Sequence, residues 1–208
     1  VPEEGALLPE TYTFTRGTSR QELLDQMKKA QTKLLAEIWD RRAEGLPVKT
    51  PEELVILASI VEKETAKADE RPRVAGVFVN RLNRNMRLES DPTILYGLYG
   101  GEAWLKDRSA IKQSEKAADN KYNTYQISGL PPGPIGNPGR ASMEAVANPS
   151  RTKELFFVAN GDGGHVFSET YEQHQANVVK WRKVEREKRK REQEAAEQPA
   201  AEQPAQSN

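Results

Sequence analysis

The chain has 208 residues, room for one ordinary domain or for one with a small satellite. Its 31 Lys and Arg balance 31 Asp and Glu, so no overall field argues for nucleic acid; with no cysteine, disulfides, thiolate zinc sites and cysteine nucleophiles are excluded. No stretch approaches the roughly 20 apolar residues of a transmembrane helix.

Residues 11–15 alternate aromatic with polar side chains, a strand signal. Gly17-Thr18-Ser19 then opens a helix in which Leu23, Leu24, Met27, Leu34, Leu35, Ile38 and Trp39 recur at helical spacing as core candidates, with Gly45 marking its end. Thr50-Pro51-Glu52-Glu53 starts a second helix: Thr50 caps it, Pro51 fits the first helical position, and Glu53 completes a capping box. At about 100° per residue, Leu54, Leu57, Ala58, Ile60 and Val61 form an apolar stripe, and Glu64 falls within it, seven residues after Leu57 and three after Val61. Glu62 falls to one side and Lys63 points away, although Val55 and Ile56 make the early helix apolar nearly all round. A carboxylate driven onto an apolar face is costly unless paired or protonated. The pattern therefore favours a raised pKa, which is what a general acid needs. A solvated last turn is the plain alternative.

After residues 69–72, an apolar run (Val74, Val77, Phe78, Leu82) reads as a third helix, although its valines leave a strand open. Asp91-Pro92 restarts helix with Asp91 as its cap. Residues 98–121 carry only weak periodicity. Residues 122–127 read as a strand, and the proline- and glycine-rich residues 129–139 as a stiff loop suited to lining a groove. Residues 141–147 suggest a short helix; residues 155–159 and 165–167 flank Asn160-Gly161-Asp162-Gly163-Gly164 as a hairpin, whose glycines are turn chemistry and not a phosphate loop. From Thr170 a last helix runs into residues 180–192, where eight basic residues face three glutamates. With no aromatics after Trp181, this reads as a solvated helix end. The repeated Glu-Gln-Pro-Ala of residues 197–205 is low complexity and expected to be disordered. The class is α+β, mainly helical with short antiparallel strands.

Several motifs stand in order along the chain. They are Glu4-Gly5-Ala6-Leu7-Leu8-Pro9-Glu10-Thr11-Tyr12, Glu62-Lys63-Glu64-Thr65, Arg71-Pro72-Arg73-Val74-Ala75-Gly76-Val77-Phe78-Val79-Asn80-Arg81-Leu82, Leu88-Glu89-Ser90-Asp91-Pro92-Thr93, Tyr122-Asn123-Thr124-Tyr125, Gly129-Leu130-Pro131-Pro132-Gly133-Pro134-Ile135 and Gly164-His165-Val166-Phe167. Together they closely resemble the YceG-like, or MltG, family of endolytic murein transglycosylases, over roughly residues 4–182.

The resemblance implies a catalytic domain over residues 17–183. Residues 1–16 would be a linker or strand joining it to a LysM-like subdomain and a single-pass inner-membrane anchor, and residues 184–208 a charged helix end and tail. It implies a lytic transglycosylase acting on peptidoglycan glycan strands at the periplasmic side, beside synthases such as penicillin-binding proteins. No cofactor, metal or nucleic acid is implied, and membrane contact comes only through the N-terminal anchor. Glu64, the second glutamate of the Glu-Lys-Glu-Thr motif, would serve as both acid and base. Glu62, Asn80, Arg81, Asp91, Thr93, Tyr122, Asn123 and Tyr125 would hold N-acetyl sugars, with Pro131 in a groove wall and His165 in a supporting or substrate-contacting place. Helix surface, capping and strand packing are the plain alternatives for these residues. Two other readings stay open: a lysozyme-type hydrolase with Asp91 or Glu62 as second carboxylate, and a non-catalytic glycan-binding or scaffold module of cell-wall synthesis.

Overall fold

Ser19 closes a capping box: its hydroxyl accepts the Glu22 N–H at 3.2 Å while the Glu22 carboxylate accepts the Ser19 N–H at 2.7 Å, and α1 (Arg20–Asp40) follows. A computed structural model describes residues 2–105 and 111–197. They fall in two compact units, one ending at Leu155 and the other beginning at Phe156. The repeat expected to be disordered lies almost wholly outside the described residues.

Helix α2 (Pro51–Glu64) is the centre of the first unit. Thr50 accepts the Glu53 N–H at 3.2 Å, but the Glu53 carboxylate accepts from Lys49 N–H at 2.6 Å, one residue upstream of the cap, so the expected box closes on a shifted partner. Leu54, Val55, Leu57, Ala58, Ser59, Ile60 and Val61 are all buried. The helix packs against α1, α3 (Arg71–Asn83), α4 (Asp91–Tyr99) and α6 (Arg140–Ala147). With neighbours on so many sides, its apolar surface has to be broader than a stripe.

The valine-rich run forms α3, with Val74, Val77, Phe78 and Val79 buried. The helix-propensity deficit of valine is at most about 0.7 kcal/mol per residue, whereas burying such a side chain is worth about 1.5–3 kcal/mol. Burial decides. Gly76 lets α3 approach the Ser150 carbonyl, which a Cβ would meet at 2.7 Å.

Beyond α4 come a 3₁₀ helix, Gly100–Leu105, and the short α5 (Gln113–Lys116). Residues 122–127 form turns, not the expected strand. The asparagines cause this: Asn120 Oδ1 accepts the Tyr122 N–H at 2.9 Å and Asn123 Oδ1 accepts the Tyr125 N–H at 3.0 Å, taking backbone donors that a ladder would need. Residues 11–15 are likewise not a strand, since the one sheet among the described residues lies elsewhere. Residues 129–139 are the expected loop, held against α2 by the buried Ser59, which donates to the Ile56 carbonyl at 2.7 Å and accepts the Ile135 N–H at 3.0 Å.

In the second unit β1 (Phe156–Ala159) pairs antiparallel with β2 (His165–Ser168), Phe157 opposite Phe167 and Ala159 opposite His165. Asn160 Oδ1 accepts the Asp162 and Gly164 N–H groups at 2.8 and 3.1 Å and so shapes the hairpin turn. Both strands pack on α7 (Tyr171–Glu197), where His174 stacks on Phe156 with ring centroids 5.2 Å apart. No helix among the described residues is long and apolar enough to cross a membrane.

Candidate active site

Glu64 is the last residue of α2, at the helix end whose dipole is unfavourable to an anion. Its side chain is half-buried, and Ser90 Oγ donates to Glu64 Oε1 at 2.5 Å. Burial pushes the Glu64 carboxyl up from its ordinary 4.5 to about 7; the Ser90 hydrogen bond works against the rise, the Asp91 charge adds to it, and Arg81 opposes it.

The Ser90 main chain is held on both sides by two threonines that also meet each other. Its N–H donates to Thr124 Oγ1 at 2.9 Å, its carbonyl accepts from Thr93 Oγ1 at 2.6 Å, and the two threonine hydroxyls lie 2.8 Å apart. All three residues are buried. Glu89, just before it, has φ +53°, a left-handed conformation that costs a non-glycine residue about 1–2 kcal/mol. Two bonds hold Glu89 there: its N–H to the Thr124 carbonyl at 3.2 Å and its carboxylate to Arg81 Nη1 at 3.0 Å. That turn aims Ser90 at Glu64.

Beyond Ser90, Asp91 Oδ1 accepts from the Tyr125 hydroxyl at 2.7 Å and lies 3.4 Å from Lys116 Nζ. Burial, then the charge of Asp91, raises the Tyr125 pKa, so its hydroxyl stays a proton donor. The site thus joins one poorly solvated carboxyl to a buried hydroxyl relay and a fixed, partly neutralised second carboxylate. Such a group can deliver a proton near neutral pH and take one back.

The YceG-like family profile matches residues 2–180. The chain belongs to the YceG-like family. It is 37% identical over 188 residues to the endolytic murein transglycosylase of Bacillus subtilis strain 168, covering 90% of this chain and 50% of that protein. It is 38% identical over 181 residues to the protein of the same name from Streptococcus pneumoniae D39, covering 85% of this chain and 32% of the other. The crystal structure of a YceG-like protein from Listeria monocytogenes superposes with a TM-score of 0.68 at 36% identity, covering 83% of this chain and 53% of that one. The chain spans about half the length of the Bacillus and Listeria relatives.

In this YceG-like chain the expected site residues divide by what they touch. Asp91 and Arg81 act on Glu64 through their charge, Thr93 reaches it through Ser90, and Tyr125 through Asp91. Arg81 is buried, donating to the carbonyls of Arg87, Leu88 and Leu155 at 3.0, 3.1 and 2.6 Å. Asn80 Nδ2 donates to the carbonyls of Thr152 and Glu154 at 3.0 and 2.9 Å, and Asn123 Nδ2 to those of Lys116 and Ala118 at 3.1 and 2.8 Å. Those amides brace the frame. Tyr122 packs its ring on Tyr96 with centroids 4.9 Å apart, and Pro131 is buried. Glu62 turns away to the start of α6, where it accepts from Gly139 N–H at 3.1 Å and Ser142 Oγ at 2.5 Å. His165 lies on β2 in the second unit, its ring edge-on to Phe157.

The sequence reading overlooks Ser90, Thr124 and Lys116. It also gives the α4 cap to Asp91, whereas Ser90 occupies the cap position and Asp91 the first helical residue, and the Ser90 side chain does not cap. A cap-type serine next to Asp-Pro was the available signal; its hydroxyl is diverted to Glu64. Among the described residues no cluster of three or more His, Asp or Glu could hold a metal ion.

Proposed function

We propose that this chain is the catalytic part of an endolytic peptidoglycan lytic transglycosylase, with Glu64 as its single acid and base. The observation that carries the reading is the Glu64 carboxyl, raised to about 7 and gripped by Ser90 on Oε1, which leaves Oε2 for the transferable proton. Protonated Glu64 delivers its proton to the glycosidic oxygen between N-acetylmuramic acid and N-acetylglucosamine as the bond to C1 breaks and positive charge builds on the muramic ring. The resulting carboxylate, now favoured by the Ser90 hydrogen bond, takes the proton of the sugar's own C6 hydroxyl, and O6 closes on C1. The products are a 1,6-anhydro-muramic end and a free glucosamine 4-hydroxyl, and Glu64 ends protonated as it began.

A hydrolase of the lysozyme type needs a second carboxylate to attack the sugar or activate water. Glu62 is spent on the α6 terminus, and Asp91 already accepts from Tyr125 and faces Lys116 on one oxygen. Asp91 is better suited to fixed charge than to nucleophilic attack. The names of the Bacillus and Streptococcus relatives support the same substrate class. The reading extends to nascent strands at the periplasmic face of the inner membrane, beside penicillin-binding protein synthases. Incubating the chain and its Glu64→Gln variant with uncrosslinked glycan strands tests it: the parent shortens the strands internally, and the variant binds them without cutting.

A further inference from the structure

We propose that Lys116 is a positioning residue of the Glu64 site, pinning the Asp91 carboxylate in one orientation and setting how much of its charge Glu64 feels. The inference rests on the acid/base reading of Glu64 for its meaning in catalysis, but its first readout does not. Lys116 Nζ lies 3.4 Å from Asp91 Oδ1, 3.5 Å from the Tyr125 hydroxyl and 4.8 Å from the centre of the Tyr125 ring, so the ammonium closes a triangle with the two groups that are bonded to each other. The main chain of the same residue is fixed: its carbonyl accepts from Asn123 Nδ2 at 3.1 Å and from Gln126 Nε2 at 3.0 Å. Those two bonds partner an end carbonyl of α5 and fix where the Lys116 side chain starts.

The arrangement has a chemical consequence. An unneutralised Asp91 would press Glu64 to hold its proton and so weaken it as the acid of the first half-reaction. With no lysine to hold it, the Asp91 side chain could also swing away from the Tyr125 hydroxyl that it accepts from. Lys116 limits both effects. The other charge bearing on Glu64 is Arg81 on α3; of the charged groups on neighbouring elements, Glu89 before α4 is paired with Arg81 and acts on Tyr125, Glu62 is bound to the start of α6, and Lys63 Nζ lies 4.3 Å over the Trp104 ring.

The test is the Glu64 titration in the substrate-free chain, followed by carbon-13 NMR of the glutamate carboxyls and assigned by the signal lost in Glu64→Gln. Lys116→Met is expected to move the Glu64 midpoint upward by about half a pH unit or more. In an Asp91→Asn background the same change is expected to move it distinctly less, because the lysine acts through Asp91. Lys116→Arg should stay near the parent. A midpoint unmoved by Lys116→Met, an equal movement in both backgrounds, or a Lys116→Arg midpoint displaced as far as that of Lys116→Met would overturn the proposal. Lys116 is part-exposed, and Lys116→Gln makes the same measurement should Met disturb folding. On glycan strands, Lys116→Met should lower kcat with little change in KM. A parent chain that cuts nothing would defeat the transglycosylase reading while leaving the titration result standing.

Discussion

Ser90 Oγ meets Glu64 Oε1 at 2.5 Å across 26 residues of chain, and this bond is the one force drawn from an uncharged group that holds the Glu64 pKa down against burial. Removing the hydroxyl takes away stabilisation of the carboxylate and frees the carboxyl to rotate.

Ser90→Ala is therefore expected to raise the Glu64 pKa above its value of about 7, carrying the alkaline limb of the kcat/KM profile to higher pH. The peak rate should drop by about tenfold from lost positioning, and Ser90→Thr should restore part of it. A pH–rate series on both variants makes the check; an unmoved limb would mean that the bond does not tune the acid.

Glu64 also leaves a mark on stability. The folded chain keeps the Glu64 proton up to about pH 7, whereas the unfolded chain loses it near the ordinary 4.5. Between those values the folded state holds more protons, so this residue's contribution to stability is fully present below about pH 4.5 and is lost as pH rises through 7. Glutamine does not titrate. The stability of Glu64→Gln relative to the parent should thus grow across this window, by about 1–3 kcal/mol, and level off above it. Urea melts at several pH values would show a flat difference if Glu64 were ordinary.

Glu62 should behave as a structural carboxylate. Glu62→Ala strands the Gly139 N–H and the Ser142 hydroxyl at the start of α6 and is expected to cost about 1–2 kcal/mol in a denaturant melt. Glu62→Gln, which can still accept, should cost less and keep most of the cleavage. A variant as inactive as Glu64→Gln but fully stable would place Glu62 in the chemistry.

The placement of the Glu64 carboxyl was legible in the sequence because helical spacing alone put it on the apolar side of α2, and the caps at Ser19 and Thr50 marked where α1 and α2 begin. What was not legible was anything held by contacts distant in sequence. The hydrogen bond of Ser90 to a residue 26 positions earlier leaves no periodic trace, and Lys116 sits in a stretch without regular spacing. The turns of residues 122–127 were misread for a local reason: alternation of Tyr and polar residues looked like a strand, while Asn120 and Asn123 diverted the backbone donors. Asn80 and Asn123 look like sugar ligands by residue type, yet their amides brace carbonyls of the frame.

Ser59 offers a separate check on the proline-rich loop. Ser59→Ala leaves the buried Ile135 N–H without its acceptor and is expected to destabilise the chain by about 1–3 kcal/mol. If that loop walls the substrate groove, KM for glycan strands should rise as well. A stable variant with unchanged KM would make the loop a simple connector.

The central claim is that one carboxyl, Glu64, both donates and recovers the proton with no water consumed. Mass spectrometry of the fragments released from uncrosslinked glycan strands tests it most directly, with the parent chain and Glu64→Gln run side by side. The parent should give muramic ends one water lighter than reducing ends, from cuts inside the strands, while Glu64→Gln should fall by about 10²–10⁴-fold or more in cleavage with strand binding retained. Reducing ends from the parent, or near-normal cleavage by a folded Glu64→Gln, would contradict the account.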